Sequence, residues 1–124
     1  MNTHQKKQKE LEDRTINFGV SVIRKCSLYS KTYELRPIIH QVVRSSTSVG
    51  ANYAEANNAS SKADFKNKIF IAKKEIAETR YWLRVFAELL PDEDFSNLSQ
   101  EALELNLILQ KIISTMNAGD KNGK

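Results

Sequence analysis

Glycine and proline are scarce in this sequence, with four and two copies in 124 residues, so little of the chain suits turns, bulges or irregular loops. Both prolines fall at expected helix boundaries. Cysteine is scarcer still: Cys26 stands alone and cannot form an internal bridge, the pattern of a protein kept in a reducing compartment. No stretch approaches the ~18 apolar residues of a membrane span. The opening MNTHQKKQKE has positive charges but no apolar core behind them, so it does not read as a signal peptide. These absences point to a cytoplasmic protein that is neither exported nor embedded in a membrane. Histidine is almost missing too. His4 lies in the opening segment and His40 is isolated, so Glu55, Glu75 and Glu78 lack the Glu-x-x-His partners of a di-metal bundle site. Cys26 sits at an apolar position with no base spaced to activate it. The expectation is a protein without catalytic residues, metal or cofactor.

What the chain does contain is charge, unevenly spread. The formal net charge is only +4, but residues 14–84 hold 13 basic and 5 acidic residues, a net of +8, and residues 85–124 hold 3 basic and 7 acidic, a net of −4. Such asymmetry suits a polyanionic partner, though a patchy helical surface also produces it.

Apolar residues recur at alternating steps of four and three through most of the length. Leu11, Thr15, Phe18, Val22, Cys26 and Tyr29 mark a first helix. Leu35, Ile39, Val42, Ser46, Val49, Tyr53 and Ala56 mark a second, with Thr32 a candidate cap and Pro37 close enough to its start to be tolerated. Phe65, Ile69, Ala72, Ile76, Thr79, Leu83, Phe86 and Leu90 mark a third, capped by Ser60 or Ser61 and stopped by Pro91. Leu98, Ala102, Leu105, Leu109, Ile112 and Met116 mark a fourth, capped by Ser96 or Asn97, with Gly119 as its stop. Four amphipathic segments with short connections predict an all-α fold, an antiparallel up-down-up-down four-helix bundle over residues 11–117. Residues 1–10 and 118–124 are expected to be flexible tails.

Two local features stand out. The run SSTSVGA at 45–51 lies inside the second helix, where glycine costs about 0.5–1 kcal/mol relative to alanine. It matches no phosphate-binding loop, and close approach of another helix is the expected compensation. On the third helix, Lys62, Lys66, Lys73, Arg80 and Arg84 fall within a ~40° arc at 100° per residue. A stripe of that kind suits a phosphate backbone, and its bland alternative is an ordinary solvated face. Arg14, Arg24, Lys25 and Arg44 extend the basic character to the first two helices. Beside the stripe, Phe70, Ala77 and Tyr81 form a second apolar line that Trp82, Val85 and Leu89 enlarge. The third helix therefore either touches two partner helices of its own bundle or joins subunits. Phe70, Ala77, Tyr81, Trp82 and Leu89 are the candidate interface.

From Arg44 to Leu83 the segment RSSTSVGANYAEANNASSKADFKNKIFIAKKEIAETRYWL resembles the signature of the four-helix-bundle proteins encoded by intervening sequences in bacterial 23S ribosomal RNA genes. Its pieces are TSVGANYxEA at 47–56, SxADF at 61–65 and KExxETxYWL at 74–83, and the similarity covers residues 11–90. The resemblance implies a homopentamer. A related accessory protein of diversity-generating retroelements binds nucleic acid through basic surfaces, which implies contact with structured RNA or a nucleoprotein through the nine basic candidates above. The alternative is a protein–protein assembly scaffold with no nucleic-acid role.

Overall fold

The computed structural model describes residues 1–121, with side chains through Gly119. It contains four α-helices, α1 (Thr3–Ser27), α2 (Arg36–Asn57), α3 (Lys62–Leu89) and α4 (Ser96–Lys121), and a single 3-10 turn at Tyr33–Leu35 leading into α2. Among the described residues there is no strand, and no helix is long and apolar enough to cross a membrane.

Cross-helix pairs give the directions. Gln8 near the start of α1 donates to Asn57 at the end of α2 at 3.2 Å, while Gly19 of α1 faces Thr47 of α2, so the two run antiparallel. Lys68–Glu55 and Arg44–Glu75 fix the same relation between α2 and α3. Phe86 near the end of α3 stacks on Phe95 just before α4, with centroids 5.7 Å apart. Arg14 of α1 reaches Glu101 and Glu104 of α4 and closes the ring of helices.

The apolar stripes fill the centre. Phe18, Val22, Val42, Val49, Ile69, Ile76, Leu83, Phe86, Leu105 and Leu109 are all buried there. In α4 the last core residue is Ile113 rather than Ile112, because the helix reaches the centre by a step of four after Leu109; Ile112 is half-buried beside it.

Helix ends depart further from expectation. Residues 3–10, expected to be a frayed tail, form the first turns of α1. The Asn2 side chain accepts from the Gln5 N–H, and the Gln5 side chain accepts from the Asn2 N–H, closing a capping box at a polar start. Thr32 precedes the 3-10 turn without a side-chain cap, and Pro37 lies in the first turn of α2, where its missing N–H costs nothing. Ser61 caps α3 by accepting from the Asp64 N–H at 3.0 Å, and Asp64 returns a longer bond to the Ser60 N–H. Ser96 is the first residue of α4 rather than its cap. Asp94 accepts both the Ser96 N–H and its hydroxyl, at 2.8 and 2.6 Å, which holds the Asp94 carboxyl below its ordinary range. Gly119 does not stop α4, which continues to Lys121; a glycine inside an exposed helix is unfavourable but not forbidden. Of the expected tail at 118–124, residues 122–124 lie outside the described residues.

Gly50 is placed as its neighbours require. A Cβ added there would lie 2.7 Å from Thr15 Oγ1 and 3.1 Å from Thr15 Cβ, so this glycine marks the close crossing of α1 and α2.

Candidate nucleic-acid interface

The basic candidates divide into two groups once folded. Arg14 is held in a fork by Glu101, through Nε and Nη2 at 2.7 Å each, and by Glu104 at 2.8 Å. Arg44 bridges Glu75 at 2.9 and 3.2 Å and Glu78 at 2.7 Å. Both guanidiniums are committed within the chain, so these two candidates serve helix–helix packing before any partner. Lys25 lies over the Phe95 ring at 4.9 Å and supports the α3–α4 connection. Arg24 is exposed in the last turn of α1, where a cation complements the helix dipole.

The α3 stripe is different. Lys62, Lys73, Arg80 and Arg84 make no ion pair with any carboxylate among the described residues; Lys66 shares their face and is half-buried. Phe70, Ala77 and Tyr81 fall on this outer face with them. The two rings are 41% and 60% exposed, so aromatic surface alternates with cations along the helix.

The expected interface residues therefore split. Phe70, Ala77 and Tyr81 share the cationic face. Leu89 is exposed at the end of α3. Trp82 is half-buried against the core and donates its indole N–H to Glu78 at 3.1 Å. Arg44 and then Trp82 hold the Glu78 carboxyl below its ordinary range. Beneath this network Ser45 and Thr79 share a buried hydrogen bond of 2.8 Å between α2 and α3.

Sequence reading missed a second exposed apolar line, Ile16, Val20 and Ile23 on α1. It borders a shallow cleft of about 210 Å³ at the α1–α2 crossing. Their four-three spacing was a sufficient signal, but the neighbouring stripe from Thr15 to Cys26 has the same rhythm and is the one the core takes. Also missed was a groove of about 580 Å³ between α3 and α4, where Arg80, Tyr81 and Arg84 meet Ser99, Gln100 and Leu103. No local pattern on α4 announces it, because it exists only where the two helices meet.

Cys26 is buried, and burial pushes its thiol up to about 11, away from nucleophilic character at neutral pH. No cluster of three or more His, Cys, Asp or Glu suited to a metal occurs among the described residues.

The family model of the 23S rRNA-intervening sequence protein matches residues 7–111. A crystal structure from Bacteroides thetaiotaomicron, described as a protein of unknown function from the S23 ribosomal protein family, is similar at 33% identity and a TM-score of 0.77, covering 82% of this chain and 96% of that one. No curated protein matches. With nearly the whole bundle matched, from the second turn of α1 well into α4, this chain belongs to the 23S rRNA-intervening sequence protein family.

Proposed function

We propose that this protein is a non-enzymatic RNA-associated bundle of the bacterial cytoplasm, a homopentamer that holds structured RNA, or a nucleoprotein containing it, through the outer face of α3. The observation that carries the reading is that Lys62, Lys73, Arg80 and Arg84 of α3 make no ion pair with a carboxylate among the described residues, whereas Arg14 and Arg44 are fully engaged. A bundle evolved only for solubility would be expected to intersperse both signs on such a face. Phosphate contacts of this kind carry little base specificity.

Self-association is supported by the exposed Ile16, Val20 and Ile23 on one side of the bundle and Leu89 on another. Two different apolar surfaces meet as a heterologous contact, which closes into a ring or grows without limit. Five copies would carry five times the formal +4 of one chain and gather weak phosphate contacts on one particle. Sedimentation at micromolar concentration should show a single species of five subunit masses (14.2 kDa each). A species of one subunit mass would remove the pentamer.

A salt titration tests the RNA reading. Affinity for a structured RNA should fall steeply and linearly on a log–log scale as salt rises, and replacing Lys62 and Lys73 by glutamine should each reduce the slope by about one. If the wild-type protein binds no RNA even at low salt, the protein is an assembly scaffold and the cations are merely solvated.

A further inference from the structure

We propose that the groove between α3 and α4 receives a single unpaired nucleotide of an RNA strand, with its phosphate on Arg80 and Arg84 and its base on the Tyr81 ring. The inference rests on the RNA-binding reading above and narrows it from a phosphate backbone in general to a strand with at least one base unstacked.

The groove holds about 580 Å³, within the ~300–1,000 Å³ typical of small-ligand clefts. Arg80 and Arg84 are one helical turn apart, a spacing that sets their Cβ atoms ~5–6 Å from each other and lets both guanidiniums converge on one phosphodiester. Neither is engaged by a carboxylate among the described residues, unlike the paired arginines at 14 and 44. At the start of α4 the Asp94 carboxylate already takes the Ser96 N–H and hydroxyl, and its charge disfavours a second anion there. Recognition of a phosphate falls to the arginines.

The rest of the lining is not what a phosphate needs. Tyr81 is 60% exposed, and its ring makes a T-shaped contact with Trp82, centroids 5.0 Å apart at 76°. Trp82 is in turn fixed by its bond to Glu78, so the tyrosine ring is held as a platform with little ordering left to do on binding. Across the groove, Leu103 adds apolar surface. Gln100 gives its amide N–H to Glu104 at 3.2 Å, which leaves its carbonyl oxygen to accept from a base edge, and Ser99 adds a hydroxyl. Cation pair, aromatic platform and polar rim in one groove match a nucleotide unit. A base inside a duplex has both faces stacked and cannot lie on Tyr81, so the site discriminates by strandedness.

The test uses fluorescence anisotropy of the full-length protein with a labelled single-stranded oligouridylate and with a blunt RNA duplex carrying the same number of phosphates. Tyr81→Ala should weaken single-strand binding by roughly tenfold, in line with the loss of one base–aromatic stack, while duplex affinity and both salt slopes stay unchanged. Tyr81→Phe should bind like wild type. Arg84→Gln should lower the salt slope on the single strand. If Tyr81→Ala weakens both RNAs equally or neither, the groove assignment fails while the wider RNA reading stands. A change in sedimentation of Tyr81→Ala would make Tyr81 a subunit contact and equally overturn it. Absence of wild-type binding to either RNA overturns both readings.

Discussion

Replacing Phe86 by alanine should lower the stability of the bundle by about 3–5 kcal/mol, the range for removing a fully buried aromatic ring. Against the ~5–15 kcal/mol that holds a typical domain together, that is a large fraction of the total. Phe86 is 1% exposed and stacks on Phe95 at an interplanar angle of 24°. Phe95 in turn packs near Tyr29, 6.4 Å between centroids, and lies under the Lys25 ammonium. The Phe95 ring therefore joins the end of α1, the last turns of α3 and the connection into α4, and the ring it stacks on is that of Phe86. Its removal leaves a cavity that this end of the bundle can fill only by shifting the 90–95 connection, so the loss should approach the top of the range. Urea unfolding followed by circular dichroism would measure it. A loss below about 1 kcal/mol would mean that the connection collapses freely and does not hold α4 in place.

Much of the core was legible because it depends on one local rule. From Phe65 to Phe86 the four-three rhythm names the α3 residues that are buried with few exceptions, and Gly50 could be read as a crossing point from its small neighbours alone. What escaped depends on partners far along the chain. Arg14 looks like any surface arginine until Glu101 and Glu104 arrive from α4, and Arg44 until Glu75 and Glu78 arrive from α3. Helix ends escaped for the opposite reason, competition among several adequate local signals. Asn2 and Gln5 could cap a helix within a segment too polar to have an apolar stripe, and Asp94 outcompeted the serine and asparagine beside it.

The residues that carry the family resemblance serve the packing of the helices. Within KExxETxYWL, Glu75 and Glu78 bind Arg44, Thr79 bonds Ser45, and Trp82 returns to Glu78. Within TSVGANYxEA, Val49, Tyr53 and Ala56 are buried and Gly50 admits α1. Both motifs thus describe the seam of α2 with its neighbours. They specify how the bundle closes, while Lys73, Arg80 and Arg84 lie between or outside their fixed positions and Tyr81 occupies one of those positions. The seam residues Glu75, Glu78 and Thr79 and the cations Lys73, Arg80 and Arg84 thus lie on different faces of α3.

The Gly50 crossing yields the second large effect. Helix propensity alone would favour alanine at position 50 by about 0.5–1 kcal/mol, so a substitution there sets local preference against tertiary packing. Packing should win. The added Cβ would meet Thr15 Oγ1 at 2.7 Å, and that hydroxyl cannot easily swing aside because it donates to the Glu12 carbonyl at 2.6 Å from a buried, β-branched side chain. Gly50→Ala should therefore lower the melting temperature despite its better propensity, and Gly50→Leu should cost on the order of 1–3 kcal/mol or more through overpacking. Thr15→Ala removes the nearer obstacle and leaves only the Cβ at position 15, 3.1 Å away, and the hydroxyl it deletes bonds only to a carbonyl within its own helix. In the double variant Thr15→Ala/Gly50→Ala the new methyl meets one crowded contact instead of two, so the pair should be more stable than Gly50→Ala alone, with a coupling of about 0.5–3 kcal/mol between adjacent sites. Thermal unfolding of the four proteins measures the cycle. If Gly50→Ala melts at or above the wild-type temperature, α1 and α2 have room to separate, and the glycine is not what sets their distance.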